Sequence, residues 1–509
     1  MFAFKFNCFA VVLTAVILTA TAFAAPSADL APGRMAVTLN LSITGETDRS
    51  LVSGLRQCLI SHLEYYFWKK GWEAEIVDSD TLSTLPESDR ELNNAGFKYS
   101  AEIGGKITCR RFGTPLLDDC LQWPFPDFEI SSHLRLTIRD LCGGGLIYSG
   151  KPVTMSSLKR WLFFDGVNIE RQPRELPNFV FMRQIEQMMS ELPLCHYQNE
   201  PAAKALEVEI YAEEFDSDLE LAFDYASRIF HRDFGLELKI LNKSKIGLTP
   251  GPLDRLEDVF REGRNILSSK NGPMRVIIYR ITDPDKVFIS RDRIQVGLAD
   301  VGYRLAVVTA LEMPGEDYNS FRAMQIGQLL VHEISHLCGA VDVADDNSIM
   351  CGYSSWVSSG HFDPLNRRIV SEVGLHGGRP GPIADYLAFI AEGLERGDYT
   401  LVDFPHMYFQ FQNLNEPGII SEACRVGQFG RALPYAVKGF QDYILKNYES
   451  SRDNFYKCLA LLENNGAVHY YLSLVTTGAL ADFHARKSAE AGFYPARVGY
   501  NAAIRQAFR

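Results

Sequence analysis

Three observations predict a multidomain α+β protein. The chain has 509 residues, enough for about three domains at roughly 150 residues each. Apolar residues make up 46% of it and charged residues 22%, close to the average for folded globular proteins. Strand-like and helix-like segments alternate up to about Pro380, and the remainder is nearly all helical. We therefore expect an N-terminal α+β domain, a central mixed sheet covered by helices, and a C-terminal all-α domain.

The charge balance argues against nucleic acid as a partner. The chain carries 51 Lys plus Arg against 63 Asp plus Glu, a formal net charge of −12. Binding to a phosphate backbone requires a basic surface, which this balance does not favour. The sequence also lacks a glycine-rich phosphate-binding loop. We expect no nucleic-acid partner.

Residues 1–24 have the pattern of a secretory signal peptide. A short basic start containing Lys5 precedes a long apolar run, and the small residues Ala22 and Ala24 form an A-x-A cleavage site. An uncleaved membrane anchor is the alternative, since the apolar run approaches the length that spans a bilayer. The A-x-A ending favours cleavage. We expect an exported protein, periplasmic or extracellular, without stable membrane insertion after cleavage.

Export makes disulfides an expectation, because oxidising compartments preserve them. The sequence has ten cysteines, and nine remain after Cys8 is removed with the signal peptide. Sequence alone does not determine which cysteines pair. The candidate local pairs are Cys109–Cys120, Cys338–Cys351 and Cys424–Cys458.

Residues 30–195 predict an accessory or pro-like α+β domain. The segment MAVTLNLSI alternates as a strand does, and the following DRSLVSGLRQCLISHLEYYFWKK has apolar residues three and four apart, as in a helix. Strand-like segments and a helix from Asn178 to Leu192 follow. We find no catalytic signature here, and we expect ordinary packing or surface roles for His62 and His133.

Residues 200–378 predict a mixed sheet with helices packed on it. Strand-like segments such as ALEVEIYAEE and MRVIIYRI alternate with amphipathic helices such as SDLELAFDYASRIFHRDF. Two further strand patterns, IQVGLADV and YRLAVVTAL, precede a helix with the sequence FRAMQIGQLLVHEISHLCG.

The end of that helix carries a metal-binding pattern. His332 and His336 are four residues apart, so their imidazoles emerge on one face of the helix and can bind one Zn²⁺. Glu333 is placed to act on a metal-bound water as a general base. Gly339 permits the left-handed turn that ends the helix and returns the chain. Asp342 then supplies a third ligand.

The stretch VHEISHLCGAVDVADDNSIM resembles the metzincin clan of zinc metallopeptidases, whose pattern is HExxHxxGxxH or HExxHxxGxxD followed by a methionine turn. The resemblance covers roughly Ala205 to Gly378. It implies a five-stranded sheet, two long helices and zinc at the bottom of a cleft. It also implies that Met350 forms an apolar base beneath the metal without binding it.

The same resemblance implies that an edge strand on the upper rim of the cleft binds an extended peptide. Here that strand is Ile294 to Val301, with Ile294, Val296 and Leu298 as the candidate substrate-facing residues.

Three further residues leave alternatives open. Some clan members have a tyrosine ligand at the position of Gly352; the tyrosine here is Tyr353, and we expect no ligand role for it. His361 is a candidate substitute ligand, with a helix-capping or surface role as the alternative. A related group of metzincins uses a cysteine thiolate of the propeptide to block the zinc. Cys195 is a candidate for this inhibitory role, although its segment LPLCHYQ lacks that group's flanking residues. A disulfide or a plain thiol is the alternative for Cys195.

The predicted function is that of an exported zinc-dependent metalloendopeptidase with Glu333 as its general base. Because Asp342 adds negative charge beside the metal, we expect a neutral-to-alkaline pH optimum. A non-catalytic envelope scaffold or peptide-binding protein built on the same fold is the alternative, and hydrolysis of a non-peptide amide is a third.

Residues 381–509 predict a helical domain whose final part resembles the tetratricopeptide superfamily, particularly its Sel-type branch. The resemblance lies in small and apolar residues that let paired helices approach closely. These residues are Ala467, Tyr471, Leu472, Gly478, Ala485, Ala489, Gly492, Ala496 and Tyr500. The resemblance implies docking of a protein partner, and an ordinary helical cap is the alternative.

Overall fold

A computed structural model describes residues 33–45, 49–78, 89–112, 127–156, 177–192, 194–195, 204–247, 256–267, 272–281, 288–290, 293–294, 297–300, 303–311, 316–345, 348–352, 360–375 and 427–493. Within these residues the chain forms eleven helices, a six-stranded sheet, a five-stranded sheet and a two-stranded hairpin. Both larger sheets are mixed, so the chain is an α+β protein as the sequence predicts. The predicted signal peptide lies outside the described residues.

The first sheet belongs to the N-terminal part of the chain. Its strands are β1 Arg34–Gly45, β2 Glu73–Asp78, β3 Phe97–Phe112, β4 Asp127–Asp140, β5 Leu146–Ser149 and β6 Val153–Ser156. The order is β2-β1-β3-β4-β5, with β6 also paired to β4. Strand β1 is parallel to β2 and β3, whereas the pairs formed by β4 are antiparallel. The helices of this part are α1 Arg49–Lys69, α2 Asp89–Asn94 and α3 Pro177–Met189.

Strand β4 shows why this sheet has one buried face. From Ile130 to Ile138 buried residues alternate with more exposed ones, the two-residue period that a half-buried strand requires. The one buried polar residue in this series, Ser132, is bonded to the buried amide of Gln184 on α3. His133 is exposed on this strand, and His62 is buried on α1.

The second sheet lies in the central part of the chain. Its strands are β7 Lys204–Ala212, β8 Leu236–Lys245, β9 Met274–Ile281, β12 Gly297–Asp300 and β13 Leu305–Leu311. The order is β12-β13-β9-β7-β8, with β12 antiparallel to β13 at one edge and the other pairs parallel. The helices are α4 Ser217–Phe234, α5 Leu256–Ile266, α6 Glu316–Leu337 and α7 Pro364–Leu375.

The strand expected from Ile294 to Val301 is divided. Ile294 belongs to β11 Arg293–Ile294, which pairs with β10 Phe288–Ser290 in the hairpin, and only Gly297–Asp300 joins the sheet. Val296 and Val301 lie outside the described residues. The apolar alternation of this segment continues across both pieces, which is why the pattern alone predicts a single strand.

Helices α4 and α6 pack closely, and this contact positions the helix that carries the histidines. Helix α4 starts at Asp216, whose carboxylate accepts a bond of 2.9 Å from the Leu219 amide, and ends at Gly235 in the left-handed conformation. Gly327 of α6 faces α4: a Cβ there would lie 2.8 Å from the ring of Tyr225. The absence of a side chain at Gly327 therefore permits the close approach.

The described C-terminal residues form four consecutive helices. They are α8 Gly427–Ile444, α9 Tyr448–Leu459, α10 Gly466–Val475 and α11 Ala479–Glu490. One apolar cluster extends from both sheets into these helices. A smaller cluster packs Ala467 of α10 and Phe493 against Ala344, two residues beyond Asp342. The predicted helix near Ile383 lies outside the described residues, and the resemblance to tetratricopeptide repeats stays a prediction.

Two of the candidate disulfides are wrong. Cys338 is a buried free thiol in the core at the end of α6, while Cys351 lies on the partly exposed segment after Met350. Cys458 is also a buried free thiol. Closeness in sequence does not make Cys338 and Cys351 pair, because Cys338 is enclosed in the main core and Cys351 lies outside it. Cys120 and Cys424 lie outside the described residues.

Among the described residues, no helix combines the length and the hydropathy needed to cross a membrane.

Candidate metal centre

Helix α6 presents two imidazoles on one face. His332 and His336 are one turn apart, and their ring centroids are separated by 4.6 Å. The two Nε2 atoms are 3.0 Å apart. The opposite face of the helix carries Ile326, Leu330 and Ile334, all buried in the main core. This burial fixes the rotation of the helix about its axis and therefore the direction in which the imidazoles point.

A turn at Gly339 brings a carboxylate to the same place. Gly339 has a φ of 97°, which favours glycine, and its amide donates to the His336 carbonyl at 2.8 Å. The chain then reverses. Asp342 Oδ1 lies 3.4 Å from His332 Nε2 and 3.3 Å from His336 Nε2. The three atoms form a nearly regular triangle.

Backbone carbonyls set the tautomer of both histidines. His332 Nδ1 lies 2.8 Å from the Ile349 carbonyl oxygen, and His336 Nδ1 lies 2.8 Å from the Ala340 carbonyl oxygen. A carbonyl oxygen only accepts, so each Nδ1 carries the proton and donates. Both Nε2 atoms are therefore left with a lone pair directed at Asp342, the arrangement that metal-binding histidines use.

The triangle fits a single divalent metal ion. Ligand atoms at roughly 2.0–2.1 Å from a tetrahedral ion are about 3.3 Å apart, close to the three observed separations. Asp342 Oδ1 is buried and has no hydrogen-bond partner among the described residues, although it lies between two imidazoles. A buried carboxylate oxygen without such a partner is costly, and a cation would satisfy it. Two imidazole nitrogens and one carboxylate oxygen form a donor set that suits zinc and other divalent transition metals.

The charges of the three groups are coupled. Burial alone would raise the pKa of Asp342, but the interaction with His336 and His332 outweighs burial and holds that pKa well below its usual value of 3.8. Burial alone would lower the pKa of His336, and Asp342 reverses this effect and raises it. Asp342 is therefore held as an anion, the form in which a carboxylate binds a metal ion.

Glu333 lies beside this triangle in a buried position. Its side chain is only 4% exposed, and Oε2 has no hydrogen-bond partner among the described residues. Burial raises the pKa of the Glu333 carboxyl to about 8, with His332 opposing the change and Asp342 adding to it. A divalent cation nearby would favour the ionised form. Such a group can both accept and return a proton near neutral pH.

The turn that contains Met350 lies beside the candidate ligands, because the Ile349 carbonyl oxygen is 2.8 Å from His332 Nδ1. Met350 is fully buried, and its carbonyl accepts a bond of 3.0 Å from the Val343 amide. The next part of the turn also pairs with Val343, through a bond of 3.0 Å from the Gly352 amide to the Val343 carbonyl. A Cβ on Gly352 would lie 2.9 Å from Asp342 Oδ1. A side chain at this position would displace the carboxylate, and Tyr353 lies outside the described residues.

Comparison with known proteins yields structural matches alone. No protein-family model matches the chain, and no curated protein matches it. Archaemetzincin from Methanopyrus kandleri is 17% identical over 34% of this chain and 96% of its own, with a TM-score of 0.26. Metalloproteinase-II from Bacteroides fragilis is 13% identical over 56% of this chain and 95% of its own, also with a TM-score of 0.26. The PelC dodecamer from Paraburkholderia phytofirmans is 13% identical over 33% and 91%, with a TM-score of 0.20.

TM-scores this low carry no argument about fold or activity.

Sequence reasoning missed a polar network that holds the loop before Asp342. The amide side chain of Asn366 accepts from the Val341 amide at 2.8 Å and donates to the Val341 carbonyl at 2.9 Å. Asp363 receives bonds from Asn366 at 2.9 Å and from the Ser348 hydroxyl at 2.6 Å. One local signal was available: Asp363 followed by Pro364 is typical of a helix start. The link to Val341 has no such signal.

His361 does not join the ligand triangle. Its Nε2 lies 2.8 Å from Glu64 Oε1 on α1, so the suggestion that it substitutes for a ligand is wrong. Its carbonyl accepts from the Ile349 amide at 2.6 Å. Cys195 is buried in the main core, and its amide donates to the Lys70 carbonyl at 2.9 Å. Within the described residues, the group that could hold a metal ion consists of His332, His336 and Asp342.

Of the three candidate substrate-facing residues, only Leu298 has a described side chain on the edge strand of the sheet. Leu298 lies half-buried on β12, whereas Ile294 lies on the hairpin strand β11. Gly297, also on β12, faces Glu333 so closely that a Cβ would overlap the carboxylate. The edge strand is therefore adjacent to the proposed general base.

Proposed function

We propose that this chain is an exported, zinc-dependent metalloendopeptidase of the metzincin type. One observation carries the proposal: three donor atoms, His332 Nε2, His336 Nε2 and Asp342 Oδ1, lie 3.0–3.4 Å from one another. A buried carboxylate, Glu333, lies next to them. Each histidine is oriented by a backbone carbonyl, so the arrangement is fixed before any ion binds.

The chain's own residues would perform the proton transfers. Zinc bound by these three groups supplies Lewis-acid activation of water and of a peptide carbonyl. Glu333 accepts a proton from the attacking water on a carboxylate oxygen and later returns it to the leaving amine. Its burial keeps bulk water from competing for that proton. Asp342 provides the single negative charge in the ligand set, which partly balances the cation.

The substrate we propose is an extended peptide. Strand β12 pairs with β13 and ends the sheet order among the described strands, so its outer edge offers backbone hydrogen bonds to an added strand. Gly297 places this edge directly beside Glu333. Ile294, Val296 and Leu298 are the side chains that we propose contact the peptide.

The test is digestion of a broad peptide library, followed by mass spectrometry. We expect the zinc-loaded protein to cleave, a chelator to abolish cleavage and added Zn²⁺ to restore it. Glu333→Gln should lower the cleavage rate by a factor of about 10²–10⁴ while retaining one bound zinc. His336→Ala should lose both zinc and cleavage. Glu490→Gln, an exposed glutamate on α11, is the matched control and should behave as the parent.

A parent protein that binds zinc tightly but cleaves no peptide in the library would contradict the proposal. That result would favour the peptide-binding scaffold instead.

A further inference from the structure

Three hydrogen bonds, connected through the covalent structure of His361 and Ile349, join the N-terminal part of the chain to the candidate metal ligand His332. Glu64 Oε1 on α1 lies 2.8 Å from His361 Nε2. The carbonyl of His361 accepts from the Ile349 amide at 2.6 Å. The carbonyl of the same Ile349 lies 2.8 Å from His332 Nδ1. Glu64 and His332 are thus linked through two residues that lie far from Glu64 in sequence.

Glu64 is firmly held on α1. It is 8% exposed, and Arg232 of α4 lies 3.5 Å from its second carboxylate oxygen. Arg232 also donates to the Gly360 carbonyl at 2.5 Å, so it grips the residue that precedes His361. A Cβ on Gly360 would lie 3.3 Å from the Tyr225 hydroxyl and 3.6 Å from a Glu64 carboxylate oxygen, so the chain passes close to both side chains here. The segment before α7 is therefore clamped between α1 and α4.

Aromatic packing surrounds this polar contact. Tyr65 of α1 meets Tyr225 of α4 edge to face at a centroid distance of 5.1 Å, and Trp68 lies 5.4 Å from the same ring. Such pairs add to the apolar burial between the two helices. The contact between α1 and the central part of the chain is thus part of the main core, unlike the polar and separable contact of a removable segment.

The direction of the contact also matters. An inhibitory pro-segment occupies the open side of a metal site, where substrate binds. Here the N-terminal part connects to the Nδ1 side of the His332 ring, through the Ile349 carbonyl that accepts the hydrogen bond from Nδ1. It makes no contact in this series with Nε2, the atom that would bind the metal. Removal of the N-terminal part would therefore weaken the positioning of the His332 ring and would not expose a blocked metal site.

We propose that the N-terminal part of the chain is a permanent component of the metal site, and that Glu64 and His361 are positioning residues for His332. This inference rests on the proposed function in one respect, that His332, His336 and Asp342 hold a metal ion. It concerns how the ion is held, and it assigns no step in hydrolysis to Glu64 or His361.

The experiment measures the Zn²⁺ affinity of the full chain by competition with a chromophoric chelator, alongside thermal unfolding of the metal-free protein. Glu64→Leu removes the acceptor for His361, and we expect a loss of zinc affinity of about 10-fold, the lower end of the 10–100-fold cost of removing a group bonded directly to a ligand. Glu64→Gln retains an oxygen acceptor and should recover most of the affinity. Glu75→Leu is the matched control. Glu75 lies on β2 in an exposed ion pair with Arg34 of β1, and this variant should bind zinc as the parent does.

A second variant addresses misfolding. His361→Leu removes the same hydrogen bond from the other side, and the double variant with Glu64→Leu should bind zinc no more weakly than the weaker single variant. Parent-like zinc affinity in a folded Glu64→Leu protein would overturn the inference while leaving the proposed function intact. A parent that binds no zinc would overturn the proposed function itself, which is a distinct result.

Discussion

Gly297 on the edge strand lies directly against the carboxylate of Glu333. A Cβ built on Gly297 would overlap Oε1 and crowd the atoms behind it. Because Glu333 is buried, its carboxylate has little room to move away. The edge strand and the proposed general base therefore fix each other's position.

We expect Gly297→Ala to lower peptide cleavage at least 10-fold, because the added methyl group displaces Glu333 from its position beside the ligand triangle. Zinc binding should change little, since the three ligands are not touched. Steady-state kinetics should place the loss mainly in kcat, as for displacement of a group that acts in the transition state.

Gly247→Ala is the control, because a Cβ there meets nothing within 4 Å and its φ is unexceptional. Full activity of Gly297→Ala would show that Glu333 tolerates the displacement or has no role in cleavage.

Asn366 provides a second prediction. Its side chain makes two hydrogen bonds with the backbone of Val341, the residue before Asp342, and is fully buried. We expect Asn366→Ala to weaken zinc binding 10–100-fold, because the loop that presents Asp342 loses its support. It should also lower the free energy of unfolding by about 1–3 kcal/mol, since buried backbone groups are left unsatisfied.

The control is Gln184→Ala, another fully buried amide that bonds to the backbone, at Val153, but in the N-terminal sheet. It should destabilise the protein by a similar amount with unchanged zinc affinity. Equal zinc affinities in the two variants would refute the positioning role of Asn366. Chelator competition and urea unfolding provide the two measurements.

The lowered pKa of Glu64 leads us to expect a loss of stability in acid. Burial by itself would raise the pKa of its carboxyl, but the charge and hydrogen bond of His361, with Arg232 and Arg228, outweigh burial and lower the pKa from 4.5 to about 2. A carboxylate whose pKa is lower in the folded than in the unfolded protein stabilises the fold. This contribution is complete above pH 4.5 and is lost as the pH falls towards 2. The contribution is about 3 kcal/mol at 1.36 kcal/mol for each pKa unit.

Urea unfolding measured between pH 7 and pH 3 tests this expectation. Glu64→Gln should be less stable than the parent at pH 7, and the difference should shrink as the pH falls below 4.5. Glu75→Gln, at the exposed pair with Arg34, should follow the parent curve. A constant difference between Glu64→Gln and the parent at every pH would exclude a titrating carboxylate as its cause.

The thiols provide a fourth prediction. Cys338 is buried and its pKa is raised to about 12 by burial, with Arg304 acting in the opposite direction. The thiolate is the reactive form, so we expect Cys338 to resist iodoacetamide in the native protein and to react after denaturation without a reducing agent. Cys142 is exposed and should react in both states. Peptide mapping without reduction checks this, and a peptide containing Cys338 linked to Cys351 would contradict the structure.

Several elements follow from local pattern. The helical placement of His332 and His336 needs only the four-residue spacing and apolar neighbours, and both are visible in sequence. The start of α4 at Asp216 and its end at Gly235 likewise obey capping rules. Other elements do not. The division of the edge segment into β11 and β12 depends on which strands lie close enough to pair with it. The apolar alternation is the same for one continuous strand and for two short ones, so it does not predict the division.

The chemistry of the candidate site was therefore encoded locally, in a helix, a glycine and an aspartate within eleven residues of His332. A short segment can specify its own helix and turn because the bonds involved lie three to five residues apart. The support of the site was decided by the tertiary structure. Glu64 reaches His361 across 297 positions, and Asn366 reaches Val341 across 25. The hydrophobic periodicity of the sequence does not predict such contacts, because they form only when packed helices and sheets bring distant side chains within bonding distance.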